Sequence, residues 1–267
     1  MEKLKDFFRG KRILITGHSG FKGSWLSEIL LGFGARVAGL ALPPSTNPNL
    51  FDLQNLDKRT RTHFSDIRDF ATTKAILQKE DPEIVFHLAA QALVRESYDN
   101  PLGTISTNIL GTANLLEAIR ELKSVKSAVI VTTDKVYDNK EKDYSFSEHD
   151  FLGGHDPYGA SKAAADIISQ SYLKSFFPPE EYQKSHNTLI GIARAGNVLG
   201  GGDLSQDRII PDIIRAVYEK KETLLIRNPN SIRPWQHVLE PLAGYLILAK
   251  DLYNGRHDVS GACNFGP

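Results

Sequence analysis

Cysteine is almost absent from this 267-residue chain, with Cys263 standing alone. One thiol excludes an internal disulfide and fits a reducing compartment. A small buried hydrophobe is the simplest account of it, ahead of a catalytic thiol. No run of about 18 apolar residues occurs, since Glu28 and Arg36 interrupt the longest candidate, and a membrane-spanning helix is not expected. The opening MEKLKDFFRGKR holds no apolar segment of signal-peptide length, so a cytoplasmic protein is expected. Neither charge is in excess: 32 Lys plus Arg face 32 Asp plus Glu. That balance argues against broad capture of nucleic acid or an anionic membrane. The eight histidines show no HExxH-like spacing, and no metal site is expected.

What is present is an alternation. Strands are expected at KRILIT (11–16), ARVAGLAL (35–42), THFS (62–65, the weakest), EIVFHLA (83–89), SAVIVTT (127–133) and TLIGIAR (188–194). Helical patterns lie between them over about 21–33 and 69–79, up to about 122, and from Tyr158 onward. Strands alternating with helices imply parallel βαβ units with right-handed crossovers. The expected fold is therefore α/β: a Rossmann-type doubly wound parallel sheet over residues 1–190, to which a helix at 233–253 returns. Residues 191–232 and 254–267 are expected in a smaller substrate-binding lobe. There RIIPDIIRAVYEKK (208–221) reads as a helix and LLIRNP (224–229) as a short strand and turn. The sequence stops at NFGP, within what reads as a loop, so this lobe is expected to be incomplete.

GHSGFKG (17–23) follows the first strand and opens the first helix. Gly17 permits a tight turn, Gly20 lets a pyrophosphate approach the backbone, and Gly23 lets the helix pack close on the sheet. The helix N-terminus offers free N–H groups to phosphate. Spacing alone would also suit a glycine-rich connection without a ligand; the strand-turn-helix setting favours a dinucleotide. The acid that usually ends the second strand is missing from LALPPS (40–45), and no arginine replaces it, which leaves NAD and NADP both open. Asp66 and Ile67 either flank the adenine or are an ordinary loop acid and a core aliphatic.

Tyr158 and Lys162 in YGASK stand one helical turn apart and share a face. A phenol with a pKa of about 10 is a poor base at neutral pH, and an ammonium beside it favours the phenolate. YxxxK occurs by chance on many solvated helices; its place downstream of a nucleotide turn gives it weight. Thr133, Asp134 and Lys135 close the fifth strand, at the sheet edge where ligands bind. As a solvated charge pair, Asp134 and Lys135 would contribute at most ~1 kcal/mol. At that edge they read instead as proton-handling groups.

GHSGFKG, HLAAQ (87–91), TTDKVYD (132–138), YGASK and RAGNV (194–198) together resemble the extended short-chain dehydrogenase/reductase superfamily. GFKGSWL (20–26), TTDKVYDN, RAGNVLGGGD (194–203), DRIIPD (207–212) and IRPWQHVLEPL (232–242) are similar to its nucleotide-sugar 4,6-dehydratases, most of all those acting on CDP-glucose. The resemblance spans almost the entire chain. It implies an NAD-dependent hydro-lyase, NADP not excluded, that oxidises a sugar at carbon four, removes water across carbons five and six, and reduces carbon six. Tyr158 would take the proton of the carbon-four hydroxyl, Lys162 would assist it and bind the nicotinamide ribose, and Thr133 would hydrogen-bond the same sugar oxygen. Asp134 would protonate the departing hydroxyl. Lys135 stands where dTDP-glucose enzymes carry a glutamate base, and a partly neutral amine that accepts the carbon-five proton is favoured over one that only stabilises the enolate. The cofactor would rest on Gly17, Ser19, Gly20, Phe21, Gly23, Asp66, Ile67, Leu88, Ala89, Ala90, Asn108 and Thr132, besides Tyr158 and Lys162.

Asn197, Arg208, Arg233 and His237 are expected on the substrate side, guanidinium groups suiting a diphosphate. For Trp235 and His237 a core position and a satisfied ring compete with a pocket role. Arg194 reads either as a neighbour of the substrate or as a structural ion-pair partner, and His87 as a buried, hydrogen-bonded ring. The resemblance also implies a homodimer paired through helices over about 98–122 and 158–176, and a place in deoxysugar synthesis for O-antigen or lipopolysaccharide. A nucleotide-sugar 4-epimerase is the nearest alternative; it needs Tyr158 and Lys162 but no acid to expel water, so Asp134 counts against it. A truncated, non-catalytic nucleotide-binding protein is the other, suggested by the end at Pro267.

Overall fold

The computed structural model describes residues 2–140, 144–220, 223, 224, 226 and 229–267. All six expected strands form: Arg12–Thr16 (β1), Arg36–Ala41 (β2), Arg61–Phe64 (β3), Ile84–His87 (β4), Ser127–Val131 (β5) and Leu189–Ala195 (β6). Two short strands, Asn197–Leu199 (β7) and Trp235–His237 (β8), pair with each other apart from the main sheet. Gly261–Phe265 (β9) then joins the main sheet beside β6, giving the order β3-β2-β1-β4-β5-β6-β9 with every pair parallel.

The place of β9 corrects the expectation that 254–267 belongs to the second lobe. Its five residues, GACNF, are too few and too mixed to announce a strand. Tertiary packing decides the matter: Phe265 meets Tyr245 of the returning Leu239–Tyr253 helix edge-on, with ring centres 5.3 Å apart.

Side chains alternate across the sheet with the period of two that strand geometry imposes. Ile13 and Ile15 face a layer containing Leu26, Leu30, Leu246 and Leu252. Leu14 between them faces Leu77, Leu115, Leu116 and Ile119. Helices thus cover both faces, as a parallel sheet requires, and each fully buried leucine or isoleucine contributes roughly 1.5–3 kcal/mol.

The helix expected up to about residue 122 is broken into Val94–Asp99, Pro101–Ile105, a π-turn at Ser106–Leu110 and Gly111–Arg120. Pro101 has no N–H to continue the first segment. Asn100 restarts the chain as a cap, its side-chain oxygen accepting from Gly103 N at 3.0 Å. In the second lobe, Ile209–Ile214 is helical and runs into a second π-turn at Arg215–Lys220; the strand expected at 224–229 falls largely outside the described residues. Among the described residues no helix is long and apolar enough to cross a membrane, and no cluster of His, Cys, Asp or Glu could hold a metal ion.

The strand order reverses between β1 and β4. Ligands of open parallel sheets bind outside the carboxyl ends at such a switch point.

Candidate active site

One cleft of about 1140 Å³ opens above that switch point and runs out under the second lobe. Gly17, Ser19, Gly20, Phe21, Gly23, Asp66, Ile67, Leu88, Ala89, Ala90, Thr132, Thr133, Lys135, Tyr158, Lys162, Asn197, Arg208 and Arg233 all line it. Asp134, Asn108 and His237 do not form its wall.

The glycine turn is obliged by sterics. Gly17 has φ +74°, and a Cβ there would lie 2.7 Å from Ala89 N; a Cβ on Gly23 would lie 2.1 Å from Gly17 O. At Gly20 the nearest neighbour of a Cβ would be Gly17 O at 3.4 Å, so the backbone there faces open cleft. The cradle fits a dinucleotide pyrophosphate on these grounds. Ser19 Oγ donates to Leu42 O at 2.7 Å and ties the turn to the end of β2. Beyond β3, Arg68 Nε donates to Asp66 Oδ2 at 2.9 Å and this pairing holds the carboxyl below its usual range. Ile67 is buried beside it.

His87 lies as expected, buried between Thr16 Oγ1 (2.6 Å) and Thr112 Oγ1 (2.9 Å). Burial pushes its pKa down to about 3, so the ring is neutral. Asn108, expected at the cofactor, lies beneath the cleft. Its Nδ2 donates to Gln91 O at 3.0 Å and to Ser161 Oγ at 2.8 Å, and its Oδ1 accepts from Gln91 N at 2.8 Å. The π-turn carrying Asn108 thereby fastens the loop after β4 to the Pro157–Phe176 helix.

β5 ends in extended backbone at Thr133, which caps a single 3-10 turn over Asp134–Val136. Thr133 Oγ1 donates to Asp134 Oδ1 at 2.9 Å and is also hydrogen-bonded to Tyr158. Lys135 Nζ stands 5.9 Å from the centre of the Tyr158 ring. The turn therefore brings Thr133, Lys135 and Tyr158 together, with Asp134 half-buried just behind.

Tyr158 corrects an expectation. Burial pushes its phenol up to about 12, and the forces resisting that are the Thr133 hydrogen bond and the nearby Arg208 charge. Arg208 acts on the phenol ahead of Lys162. Lys162, nearly fully buried, donates from Nζ to Val131 O at 2.8 Å. Burial brings that ammonium down to about 8, against the pull of Asp166, and the charge of Lys22 depresses it further. Spacing predicted the shared face; the carbonyl that captures the amine could not be read from it.

Arg194 resolves as a structural partner. Its Nε and Nη2 each donate to Asp166 at 2.8 Å, both side chains being at most 1% exposed, and its Nη1 donates to Tyr137 OH at 2.9 Å. Asp166 also accepts from Thr132 Oγ1 at 3.1 Å. The helix that presents Tyr158 and Lys162 is pinned to β6 one turn further along by this pair.

On the lobe side, Arg208 Nη1 donates to Asp203 Oδ2 at 2.9 Å. Arg233 donates to its neighbour Ile232 O at 2.7 Å and is exposed. His237 is a correction: its Nδ1 accepts from Leu239 N at 3.3 Å and its ring meets Trp25 edge-on, 6.4 Å between centres. It caps a helix outside the cleft. Of the two readings of Trp235, the core one gives way to the pocket one: it is 39% exposed and lines the cleft. Lys22 also lines the cleft; the signal for it was a cation written inside a turn built for an anion.

The chain has relatives in sequence and in fold. The sequence pattern of the family described as GDP-mannose 4,6 dehydratase matches residues 14–256. The chain belongs to that family. The CDP-glucose 4,6-dehydratase of Salmonella typhimurium is 48% identical over 98% of this chain and 73% of its own length. Among solved structures, the dTDP-glucose 4,6-dehydratase DesIV of Streptomyces venezuelae, with NAD and TYD bound, is 25% identical and superposes with a TM-score of 0.80 over 95% of this chain and 75% of its own. The epimerase Mth375 of Methanothermobacter thermautotrophicus, also 25% identical, gives 0.81 over 100% and 74%. Dehydratases and epimerases share the fold, so in this member of the GDP-mannose 4,6 dehydratase family the distinction rests on side chains.

Proposed function

We propose that the protein converts CDP-glucose to CDP-4-keto-6-deoxyglucose with bound NAD. The observation that carries this reading is the gathering of Thr133, Lys135 and Tyr158, with Asp134 hydrogen-bonded behind them, in the cleft that holds the glycine turn. The Salmonella typhimurium relative supports cytidine as the base, and the NAD-bound DesIV structure supports the cofactor. Arg68, the guanidinium beyond β3, is already paired to Asp66, which favours NAD over NADP.

NAD would lie on Gly17, Gly20 and Gly23 with Ser19, Phe21, Asp66, Ile67, Leu88, Ala89, Ala90 and Thr132 around it, and supplies both the oxidant and the reductant of a net redox-neutral dehydration. Tyr158, whose phenolate Thr133 and the Arg208 charge favour against burial, takes the proton of the carbon-four hydroxyl while Thr133 hydrogen-bonds the same oxygen. The carbon-four ketone acidifies carbon five, whose proton falls to Lys135. Asp134 gives a proton to the carbon-six hydroxyl so that water leaves. Asn197, Arg208 and Arg233 hold the nucleotide sugar. A 4-epimerase would need no such acid, so Asp134 weighs against that function despite the likeness to Mth375.

Two of these side chains are held indirectly. Asp166 and Arg194 fix the helix under Tyr158 and Lys162, and Asn108 fixes the loop after β4. Leu102, Ile105, Leu110, Ile167 and Phe176 are exposed on the segments expected to pair in a homodimer, and we assign them that contact.

Incubation with CDP-glucose tests the activity, because an enolised 4-keto sugar absorbs strongly in alkali. Absorbance that grows with time is expected. Formation of CDP-galactose without that absorbance would establish the epimerase instead.

A further inference from the structure

Lys22 stands in the first turn of the Phe21–Gly32 helix, inside the glycine-rich segment, and faces the cleft. No hydrogen bond or ion pair reaches its ammonium among the described residues. Its surroundings are unfavourable to a cation. A helix N-terminus carries positive potential. Arg208 from the second lobe opposes it, and it in turn opposes Lys162. Asp134 favours it, but that carboxylate already accepts from Thr133. Burial, with Arg208 adding to it, brings Lys22 down to about 8, so most of its charge survives at neutral pH.

A charged amine without a partner, facing a cavity alongside other cations, is satisfied by an anion. Arg208 spends one N–H on Asp203 and keeps others, since a guanidinium carries five. We propose that Lys22 and Arg208 grip a phosphate oxygen of a pyrophosphate-linked nucleotide between them, Lys22 from the sheet domain and Arg208 from the second lobe. Repulsion between the two cations then becomes attraction to a shared doubly anionic group, and the ligand itself draws the lobes together. The pyrophosphate can be that of the dinucleotide or that of the nucleotide sugar; the second case rests on the dehydration reading given above.

The test titrates the unmodified protein, Lys22→Met and Lys22→Arg with NADH, read by fluorescence, and with CDP, read by calorimetry. Circular dichroism and thermal unfolding confirm that each variant folds. Lys22→Met is expected to weaken at least one ligand about tenfold, the scale of one charge-assisted hydrogen bond, and to flatten the salt dependence of that affinity; Lys22→Arg restores most of it. Loss confined to NADH assigns the grip to the cofactor's pyrophosphate, and loss confined to CDP assigns it to the sugar nucleotide's. Loss in both assigns a shared grip, and all three outcomes support the inference. Unchanged affinity for both ligands in a folded Lys22→Met protein overturns it, and Lys22→Gln is read the same way if the methionine variant does not fold. A protein that makes the 4-keto product yet binds normally without Lys22 disproves this inference alone. One that makes no product but shows Lys22-dependent binding disproves the dehydration reading alone.

Discussion

Lys162 Nζ donates to the carbonyl oxygen of Val131 at 2.8 Å, although the phenol of Tyr158 stands one helical turn away. The amine is therefore engaged by the end of β5. Strand and helix are locked to each other at the point where the chemistry is proposed.

From the burial of that amine comes a pH dependence. Lys162 is charged below about 8 and neutral above it. If its ammonium assists Tyr158, kcat/KM for CDP-glucose falls as pH rises through about 8. Lys162→Arg stays charged throughout and is expected to be slower, yet to lack that descending limb. A pH–rate profile of the two proteins decides; a limb near 8 that persists in the arginine variant assigns it to another group.

Much of this was legible in advance, for reasons particular residues make plain. The strands β1, β4, β5 and β6 each carry a continuous apolar stretch (ILI, IVF, AVIV and LIGIA), as burial on both faces requires. Gly17, Gly20, Gly23, Tyr158 and Lys162 carry local spacing that survives folding. What was not legible depends on partners distant in sequence. His237 could not be placed without Trp25 and Leu239, nor Arg194 without Asp166, nor the Lys162 amine without the Val131 carbonyl. β9 was missed because its five residues are held by Tyr245 and β6 rather than by their own pattern. Lys22 carries no such local spacing: the glycine spacing points to backbone N–H groups, and the charges of Arg208 and Asp134 that surround the amine are distant in sequence.

Stability carries the mark of the two depressed lysines. For Lys22 and Lys162 the folded pKa is about 8 against 10.5 for the unfolded chain. Between those values the unfolded state binds more protons, so these groups make stability rise with pH from about 8 toward 10.5 and fall as pH drops through 8. Urea midpoints across that window are expected to increase. Lys22→Met should be more stable than the unmodified protein at pH 7 and show a shallower rise; a less stable variant would mean that the amine has a stabilising partner in the free protein.

The buried Asp166–Arg194 pair predicts an asymmetry. Asp166→Asn leaves the Arg194 guanidinium without its charge partner at a site at most 1% exposed, and is expected to cost about 3–5 kcal/mol in urea unfolding. Replacing both residues, by Leu and Met, removes the stranded charge and should recover most of that loss. Equal destabilisation by the single and double variants would mean that the contacts to Tyr137 and Thr132 matter more than the charge.

Asp134 and Lys135 separate the steps of the proposed reaction. Asp134→Asn retains the shape and the hydrogen bond from Thr133 but cannot deliver a proton, so water loss should slow by about 10²–10⁴-fold. Proton removal at carbon five comes earlier and should continue, so CDP-glucose recovered from deuterium oxide would carry label at carbon five while little 4-keto-6-deoxy product forms. Lys135→Met should do the reverse and suppress the exchange itself. Mass spectrometry of the recovered sugar distinguishes the two variants. Normal exchange in Lys135→Met would remove Lys135 from the carbon-five step, and Asp134→Asn with full turnover would remove the feature that separates this chain from an epimerase.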